Sequence, residues 1–499
     1  MRRRLALAAG LAAAVLLGAA APAAAHVGSP DAVADGQAGP YHLLVTIRPP
    51  AVVPGVAQIE VRALDADVTR VSVVPLPIGG AGEKLAPVPD VARPAADEPR
   101  RFDSTLWLMR TGAWQIRITA EGARGAGTLA VPIPAVARAV RPMPGYLGGM
   151  LIALMALIVA GAIAIVGAGL RESDLAAGAS PDARRVTRGR TAMAVTAAIL
   201  ALAIAGGRSW WNDEARLYRR LVYKPMQVEV TRPTPDTLSL ALSDPGWIRW
   251  RKADDLIPDH GHLMHLFVVR TPGLDAIAHL HPRRAGDATF TQATPPLPGG
   301  AYRLFGDIVH ETGLDETVTS ALQLEAPPAL DTPPALDAAR FDPDDAMAVL
   351  PRAATVAGPT FRFPDGGQLR WVDARTLHAG ETAALEFEAD APDGQPAAGL
   401  EPYMGMAGHA MIVARDLSVF AHVHPTGSVP MAAMSLVDGA SVVDHAKHHG
   451  MRFAPRVRFP YVFPHAGDYR LFVQIKENGR VETAAWDLQV APPVSPRSL

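Results

Sequence analysis

An apolar run at residues 146–170 constrains this 499-residue chain most, because no charged residue interrupts it before Arg171. A helix of roughly 20 apolar residues is long enough to span the hydrocarbon core of a bilayer. A second run, residues 191–207, is shorter and also carries no charge. The two runs predict two transmembrane helices, which divide the chain into a shorter region before them and a longer region after them.

The orientation of these spans follows from the start of the chain. Residues 1–25 have a basic start, an apolar stretch and an alanine-rich end, which is typical of a cleaved export signal; an uncleaved membrane anchor is the alternative. The arginine-rich segment 171–190 is predicted to be a cytoplasmic loop. Arginines also follow the second span, so charge alone does not fix the orientation, and the number of membrane crossings is used instead. If the start of the chain is exported and two spans follow, everything after residue 207 lies outside. We therefore expect a protein of the bacterial inner membrane, anchored in its lipid bilayer and facing the periplasm.

The composition excludes several function classes. The formal net charge is only −2 and the basic residues are scattered, so nucleic acid is not an expected partner. The chain has no cysteine, which excludes disulfides, thiolate metal sites and cysteine nucleophiles. A metal site here would have to use histidine, methionine or carboxylate ligands.

Outside the apolar runs the chain shows short alternating segments broken by proline and glycine. Alternation with a period of two and no helical stretch is typical of antiparallel β-sandwiches. The pattern fills residues 26–142, 222–324 and 357–492, whereas residues 325–356 are rich in proline and alanine and are predicted to be a semi-extended linker. We expect a mainly β fold with three immunoglobulin-like antiparallel sandwiches and two transmembrane helices.

The first of these regions contains, in order, the motifs AHVGSP, YHLLVTIRPP, LWLMRTGAWQIRI and GTLAVPIPAVA. On these motifs residues 26–142 resemble the YtkA-like and FixH-like domains, which are envelope β-sandwiches related in architecture to the CopC copper carriers. The resemblance implies a copper site at His26, which signal cleavage would make the N-terminal residue. This region departs from that pattern because His42 is its only other histidine.

The second and third regions repeat each other. The segment HGHLMHLFVVRTPGLDAIAHLHP at 260–282 has a counterpart, GHAMIVARDLSVFAHVHP, at 408–425. A later stretch at 297–324 matches 463–490 through a shared Tyr-Arg-Leu-Phe followed by a turn and Glu-Thr. Two features repeated in the same order predict two copies of one sandwich.

In the first copy, a loop at residues 271–275 would place Phe267 opposite His279 and His265 opposite His281. Opposed side chains have Cβ atoms about 5 Å apart, which is close enough for two imidazoles to bind one metal ion. Strand alternation places His262 and Met264 on the other face of the first strand. The candidate ligands of this copy are His265, His279 and His281, followed by His262 and Met264.

In the second copy, a two-residue turn at 416–417 would place Met411 opposite His422 and His409 opposite His424. The candidate ligands of this copy are His409, Met411, His422 and His424, with Met404 and Met406 just upstream as possible additions. Imidazole and thioether together suit copper. A histidine-rich stretch at 445–451 is predicted to close over the site. The structural alternative is that the histidines form ordinary hydrogen bonds and the methionines pack in the core.

Fourteen of the 16 histidines lie at or beyond His260, which favours a metal site over scattered hydrogen-bonding roles. The first hypothesis is therefore a membrane-anchored envelope protein that binds or transfers copper, with a copper-trafficking protein as its partner. The second is a non-metal accessory protein whose sandwiches dock a respiratory oxidase or a cation pump. The third is a copper redox enzyme, although no catalytic motif and no organic cofactor site are recognisable.

Overall fold

The structure is a computed structural model that describes residues 31–78, 86–176, 178–249, 251–325, 336–350, 359–438 and 452–494. The predicted export signal, His26 and the 445–451 stretch lie outside the described residues. The chain is mainly β, with 46% strand and 17% helix. Its strands form antiparallel two-sheet sandwiches, and two of its helices are long and apolar, so the predicted fold class is confirmed.

The first sandwich encloses a core of strictly alternating apolar residues. In its third strand every second residue is buried, as a sheet with one face on a core requires. One sheet has the order β1-β2-β3-β7-β6 and the other β5-β4-β8-β9. Its strands are β1 (Ala32–Ala38), β2 (Tyr41–Arg48), β3 (Gly55–Ala63), β4 (Val68–Pro77), β5 (Asp90–Val91), β6 (Arg93–Pro94), β7 (Arg101–Leu108), β8 (Gly112–Gly122) and β9 (Gly125–Ala135).

Residues 137–223 form a separate compact unit that contains helices α1 (Gly145–Glu172) and α2 (Ala183–Leu221). Asp182 caps the second helix, because its side chain accepts a hydrogen bond from the backbone N–H of Arg185 at 2.7 Å. Their most apolar windows have mean hydropathies of 2.8 and 1.6, so both helices are long and apolar enough to cross a membrane. Both extend beyond the predicted spans 146–170 and 191–207, since polar residues continue each helix past its apolar part.

The second sandwich pairs a sheet of order β10-β11-β16-β15 with a sheet of order β12-β17-β13-β14-β19, in which β18 also pairs with β17. Residues 346–349 therefore form an edge strand rather than part of the predicted linker. This segment forms a strand although proline-rich sequence surrounds it, because the backbone N–H and C=O groups at the edge of β14 pair with it. The strands are β10 (Gln227–Thr234), β11 (Thr237–Ser243), β12 (Leu256–Ile257), β13 (His265–Arg270), β14 (Ala276–Leu280), β15 (Arg283–Arg284), β16 (Thr289–Ala293), β17 (Gly300–His310), β18 (Asp315–Leu324) and β19 (Ala346–Val349).

The third sandwich pairs a sheet of order β20-β21-β23-β26 with a sheet of order β22-β28-β27-β24-β25. A short helix, α3 (Met431–Asp438), follows the last strand of the histidine hairpin. The strands are β20 (Thr360–Arg362), β21 (Gln368–Trp371), β22 (Leu377–His378), β23 (Thr382–Asp390), β24 (His409–Ala414), β25 (Phe420–Val423), β26 (Arg456–Val462), β27 (Gly467–Glu477) and β28 (Arg480–Ala491).

The two histidine hairpins have the register that the sequence predicts. Phe267 lies opposite His279 in the β13–β14 pair, and Met411 lies opposite His422 in the β24–β25 pair. Each hairpin also pairs with the long strand of the repeated Tyr-Arg-Leu-Phe segment, β17 in one sandwich and β27 in the other. The two sandwiches are therefore built in the same way around their histidines.

The second and third sandwiches pack against each other through these hairpin sheets. One face of β13 lies in the core of its own sandwich, with Leu266 and Val268 fully or almost fully buried. The other face forms a separate apolar cluster between the sandwiches, in which Phe305 and Phe420 stack with ring centroids 4.3 Å apart. Burying aromatic side chains of this size stabilises such a contact by about 1.5–3 kcal/mol each. This packing brings the two histidine hairpins together.

Candidate metal centre

A tight turn precedes the first histidine strand in each sandwich. In the second sandwich His260 and Gly261 have left-handed backbones (φ 49° and 87°), and in the third Met404 and Gly405 do (φ 50° and 79°). The turn is closed by paired backbone hydrogen bonds between Asp259 and His262, and its counterpart by bonds between residues 403 and 406. A left-handed non-glycine residue costs of order 1–3 kcal/mol, and it recurs at the same position of both copies. The turn aims the first residue of each following strand, a histidine, at the contact between the sandwiches.

The first histidine triad consists of His265, His279 and His281. One nitrogen from each lies within 4.8 Å of the other two, and all three side chains are buried. His265 Nδ1 and His279 Nε2 are 3.2 Å apart. The structure therefore brings together the three ligands predicted for this copy.

The second histidine triad consists of His409, His422 and His424, with the same 4.8 Å limit between ligand nitrogens. His409 Nδ1 and His422 Nε2 are 3.0 Å apart, which matches the closest pair of the first triad. The structure therefore also brings together the three histidines predicted for this copy.

The two triads adjoin each other. The ring centroids of His265 and His422 are 5.2 Å apart, and those of His279 and His422 are 5.5 Å apart. His260, from the turn of the second sandwich, lies 4.8 Å from His424 of the third. We call the whole set the histidine cluster: His260, His262, His265, His279, His281, His409, His422 and His424. The sequence predicts two separate sites, and the structure places both in this one cluster.

Burial keeps the six histidines of the two triads in their neutral form. Loss of solvation, with a smaller contribution from the neighbouring histidines and against the effect of Asp259, lowers the pKa of His265 to about 4. Loss of solvation likewise lowers the pKa values of the other members of both triads well below the ordinary value. A neutral imidazole has a lone pair on one ring nitrogen, and this is the form that binds a metal ion.

Hydrogen bonds fix which nitrogen of the first pair carries the proton. His265 Nε2 lies 3.0 Å from the backbone carbonyl of Asp259, which only accepts, so Nε2 carries the hydrogen. His279 Nδ1 donates to Gln474 Oε1 at 3.0 Å, since the amide nitrogen of Gln474 donates to Thr483. The two remaining nitrogens, His265 Nδ1 and His279 Nε2, therefore face each other with lone pairs across 3.2 Å.

Further ring nitrogens in the cluster have no hydrogen-bond partner. His281 Nδ1 donates to Asp345 Oδ1 at 2.9 Å, and its Nε2 is buried without a partner in the part of the chain that the structure describes. Both ring nitrogens of His424 are also buried, and within the same described residues neither makes a hydrogen bond of ordinary geometry, although the Val429 backbone lies close enough to raise its pKa against the effect of burial. Buried polar atoms without partners are rare in folded proteins and point to a missing ligand.

Three of the candidate ligands predicted from the sequence do not lie where the prediction placed them. Strand alternation predicts that His262 points away from His265, and this is wrong: its ring stacks on His281 with centroids 3.9 Å apart. The strand begins only at His265, and the preceding turn ends the alternation. Met264 is buried in the core of the second sandwich, and Met411 is buried in the apolar cluster between the sandwiches.

Sequence patterns did not identify the residues that orient the histidines. Gln474 and Asp345 contact His279 and His281, yet one lies in an ordinary-looking strand and the other in the predicted linker. Tyr403 contributes its backbone carbonyl, which is 3.2 Å from His409 Nε2. One sequence feature does indicate that another domain covers the site: the outer face of β13 is apolar, and Phe267 and Val269 on that face need a partner that shields them from water.

Comparison with known proteins finds a match to a family model without a stated function, over less than half of the chain. The family model "Domain of unknown function (DUF8832)" matches residues 226–326 and 362–492, which coincide with the second and third sandwiches. No curated protein matches the chain.

The solved structures that match the chain do so at low similarity. A tetra-tandem repeat from the extending region of a large adhesion protein has 10% identity and a TM-score of 0.15, covering 87% of this chain and 71% of its own. A D1–D4 ectodomain fragment of ICAM-5 has 11% identity and a TM-score of 0.15, covering 90% and 77%. The BSP domain of a biofilm associated protein has 7% identity and a TM-score of 0.14, covering 96% and 68%. At these TM-scores the likeness indicates nothing about function.

Proposed function

We propose that this chain is a membrane-anchored envelope protein that binds a transition metal, copper above all, in the histidine cluster. The observation that carries the proposal is the pair of lone pairs that His265 Nδ1 and His279 Nε2 point at each other across 3.2 Å. A metal ion bound by both nitrogens converts this repulsive contact into two coordination bonds. The same spacing recurs in the second triad, at 3.0 Å.

A purely structural role for the cluster would be costly. Each buried polar atom left without a partner costs about 1–3 kcal/mol, and among the described residues His281 Nε2 and at least one ring nitrogen of His424 are such atoms. A hydrophobic contact between the sandwiches would be more stable with apolar residues at these positions. The residues therefore favour a site that is completed by a ligand.

The donor set favours copper over other metals. Each triad offers three neutral imidazoles and no carboxylate, and the chain has no thiolate. Imidazole suits zinc, copper, iron and nickel, and among divalent ions copper binds such sites most tightly. Met404 and Met406 lie on the turn that precedes His409, and thioether sulfur would favour the reduced ion.

The cellular setting of the proposal follows from the two apolar helices and the predicted export signal. It places the anchor in a bacterial inner membrane and the three sandwiches on the periplasmic side. The resemblance of the first sandwich to YtkA-like and FixH-like domains agrees with an envelope role. A partner that delivers or receives copper is then expected to be another copper-trafficking protein.

A competition titration of the full chain in detergent tests the proposal. We expect Cu(I) and Cu(II) to bind more tightly than about 1 μM, measured against chelators of known affinity. Changing His409, His422 and His424 together to alanine removes one triad and is expected to reduce the bound copper. The matched control is His378→Ala, because His378 is bonded to the backbone of Pro492 and does not belong to the cluster. Weaker binding by the wild-type chain, or equal binding by the triad variant and the control, would refute the proposal.

A further inference from the structure

We propose that the two triads form one dinuclear metal centre, in which two ions lie side by side and each sandwich orients a ligand of the other. This inference rests on the proposed function and specifies it further. It predicts that neither sandwich holds its ion normally without the other, which two independent sites of a duplicated domain would not require.

The distances support a shared centre. His422 of the second triad has its ring centroid 5.2 Å from His265 and 5.5 Å from His279 of the first. The centroids of neighbouring rings within the first triad are equally spaced, at 5.5 Å for His265 and His279 and 4.8 Å for His279 and His281. Ligands of different triads are thus as close as ligands of one triad. Two ions bound by these sets would therefore be near neighbours.

Among the residues that the structure describes, the available ligands limit the centre to two ions. Besides the triads, two mixed groups could hold an ion: Asp259, His260 and His424, and His262, His281 and Asp342. The first shares His424 with the second triad, and the other shares His281 with the first triad. If each histidine binds one ion, at most two of the four described groups are filled at once. The mixed groups can then act as alternative positions for the same two ions.

The orientation of ligands crosses the contact in both directions. Gln474 of the third sandwich accepts a hydrogen bond from His279 of the second, at 3.0 Å. In the reverse direction, Asp307 Oδ2 of the second sandwich lies 3.6 Å from His422 Nδ1 of the third, which is an electrostatic contact longer than a hydrogen bond. Gln474 and Asp307 occupy equivalent positions, since each lies opposite the first histidine of its own hairpin.

Both orienting side chains are held by a threonine on the next strand. Gln474 donates to Thr483 at 3.2 Å, and Asp307 accepts a hydrogen bond from Thr317 at 2.6 Å. Partners that hold the far nitrogen of a metal-binding imidazole fix its tautomer and orientation. Because the side chain at this repeated position faces a histidine of the other sandwich in both copies, the two triads are built as one unit.

Nearby carboxylates provide charge for two cations. Asp345 binds His281 at 2.9 Å, and Asp307 faces His422. Asp259 lies at the base of the turn, where its side chain accepts a hydrogen bond from the backbone N–H of Ala432 at 2.7 Å. Two neighbouring metal ions repel each other, which does not occur in a site with a single ion. Carboxylates around the neutral histidine ligands offset this repulsion.

The test combines metal analysis with electron paramagnetic resonance on the full chain in detergent, loaded with Cu(II) and freed of excess metal. We expect two copper ions per chain, with a spin count well below the copper content or with dipolar broadening, because neighbouring Cu(II) ions couple magnetically. His422→Ala is expected to leave one copper per chain with a full, uncoupled signal. The control His378→Ala is expected to keep two coupled ions.

The outcomes separate this inference from the proposed function. Two ions with a full, unbroadened spin count, or a single ion in the wild-type chain, would overturn the dinuclear centre and leave metal binding intact. No bound copper would overturn both. Two coupled ions in the wild-type chain that persist unchanged in His422→Ala would place the pair outside the histidine cluster and would also overturn the inference.

Discussion

His279 Nδ1 of the second sandwich donates a hydrogen bond to Gln474 Oε1 of the third sandwich, with 3.0 Å between the two atoms. This bond decides the protonation of a candidate ligand from across a contact between two domains. It leaves His279 Nε2 with a lone pair that is directed at His265. The geometry of the proposed metal site therefore depends on how the two sandwiches pack against each other.

Gln474→Ala is therefore expected to weaken metal binding although Gln474 is not a ligand. Loss of such an orienting partner typically reduces affinity about 10- to 100-fold. Gln474→Glu retains an acceptor and is expected to bind copper far better than Gln474→Ala. Competition titration measures both, with Gln489→Ala as the matched control because Gln489 is exposed on the neighbouring strand. Wild-type affinity in Gln474→Ala would argue against this role.

The metal-free protein is expected to lose stability as the pH falls from about 6.5 towards 4. The pKa of His265 is lowered to about 4 by burial, and the other triad histidines are shifted in the same direction. In this window the unfolded chain binds more protons than the folded chain. Each histidine that is protonated only in the unfolded chain lowers the free energy of unfolding by up to about 1.4 kcal/mol per pH unit.

Among the residues that the structure describes, five groups oppose this trend, and two of them are Glu477 and Glu482, whose pKa values are raised by burial. Burial raises the pKa of Asp307 to about 7 and that of Asp345 to about 6, and Glu316 and Asp255 raise the pKa of His310 against the effect of burial. The six histidines of the triads outnumber these groups, so the net effect keeps its sign. Urea unfolding of the metal-free chain, followed by tryptophan fluorescence at neutral pH and at about pH 5, measures it. Equal or greater stability at the lower pH would contradict the neutral, buried cluster.

Phe420→Ala is expected to destabilise the contact between the second and third sandwiches. Phe420 is fully buried, stacks on Phe305 at 4.3 Å and lies 5.1 Å from Phe267. Truncation of such a side chain costs about 3–5 kcal/mol. Thermal unfolding should show a lower midpoint, and copper binding should weaken because the triads lose their alignment. Trp107→Ala is the control, since Trp107 is 62% exposed; an equal loss in both variants would contradict the assignment.

Membrane topology can be tested with single cysteines, because the chain has none of its own. Ser180→Cys lies between the two long helices, and Glu381→Cys is exposed on the third sandwich. The proposed orientation predicts that a membrane-impermeant maleimide labels Glu381→Cys in intact spheroplasts and Ser180→Cys only after lysis. The reverse pattern would show that the sandwiches face the cytoplasm.

Sequence periodicity was sufficient for the local structure of the site. Alternation and loop length gave the register that pairs Phe267 with His279 and Met411 with His422, because a one-residue slip would expose the core face. It also gave the two apolar helices. It failed at His262, where the strand had not yet begun, and at residues 346–349, where an edge strand needed a partner.

The meeting of the two triads could not be derived from periodicity. Strand alternation says which residues share a face, but it does not say which other domain covers that face. Phe267 and Val269 showed only that the outer face of β13 is apolar. Gln474, Asp307 and Asp345 are likewise ordinary polar residues in the sequence, and their role appears only when the sandwiches are docked.

X-ray absorption at the copper edge of the loaded full chain tests the central claim most directly, because it reports the atoms bound to the metal. The account predicts a first shell of nitrogen with the multiple scattering of about three imidazoles per ion. The same spectrum is expected for His378→Ala, and loss of imidazole scattering is expected when His265, His279, His409 and His422 are all changed to alanine. A shell of oxygen atoms without imidazole scattering in the wild-type chain would contradict metal binding by the histidine cluster.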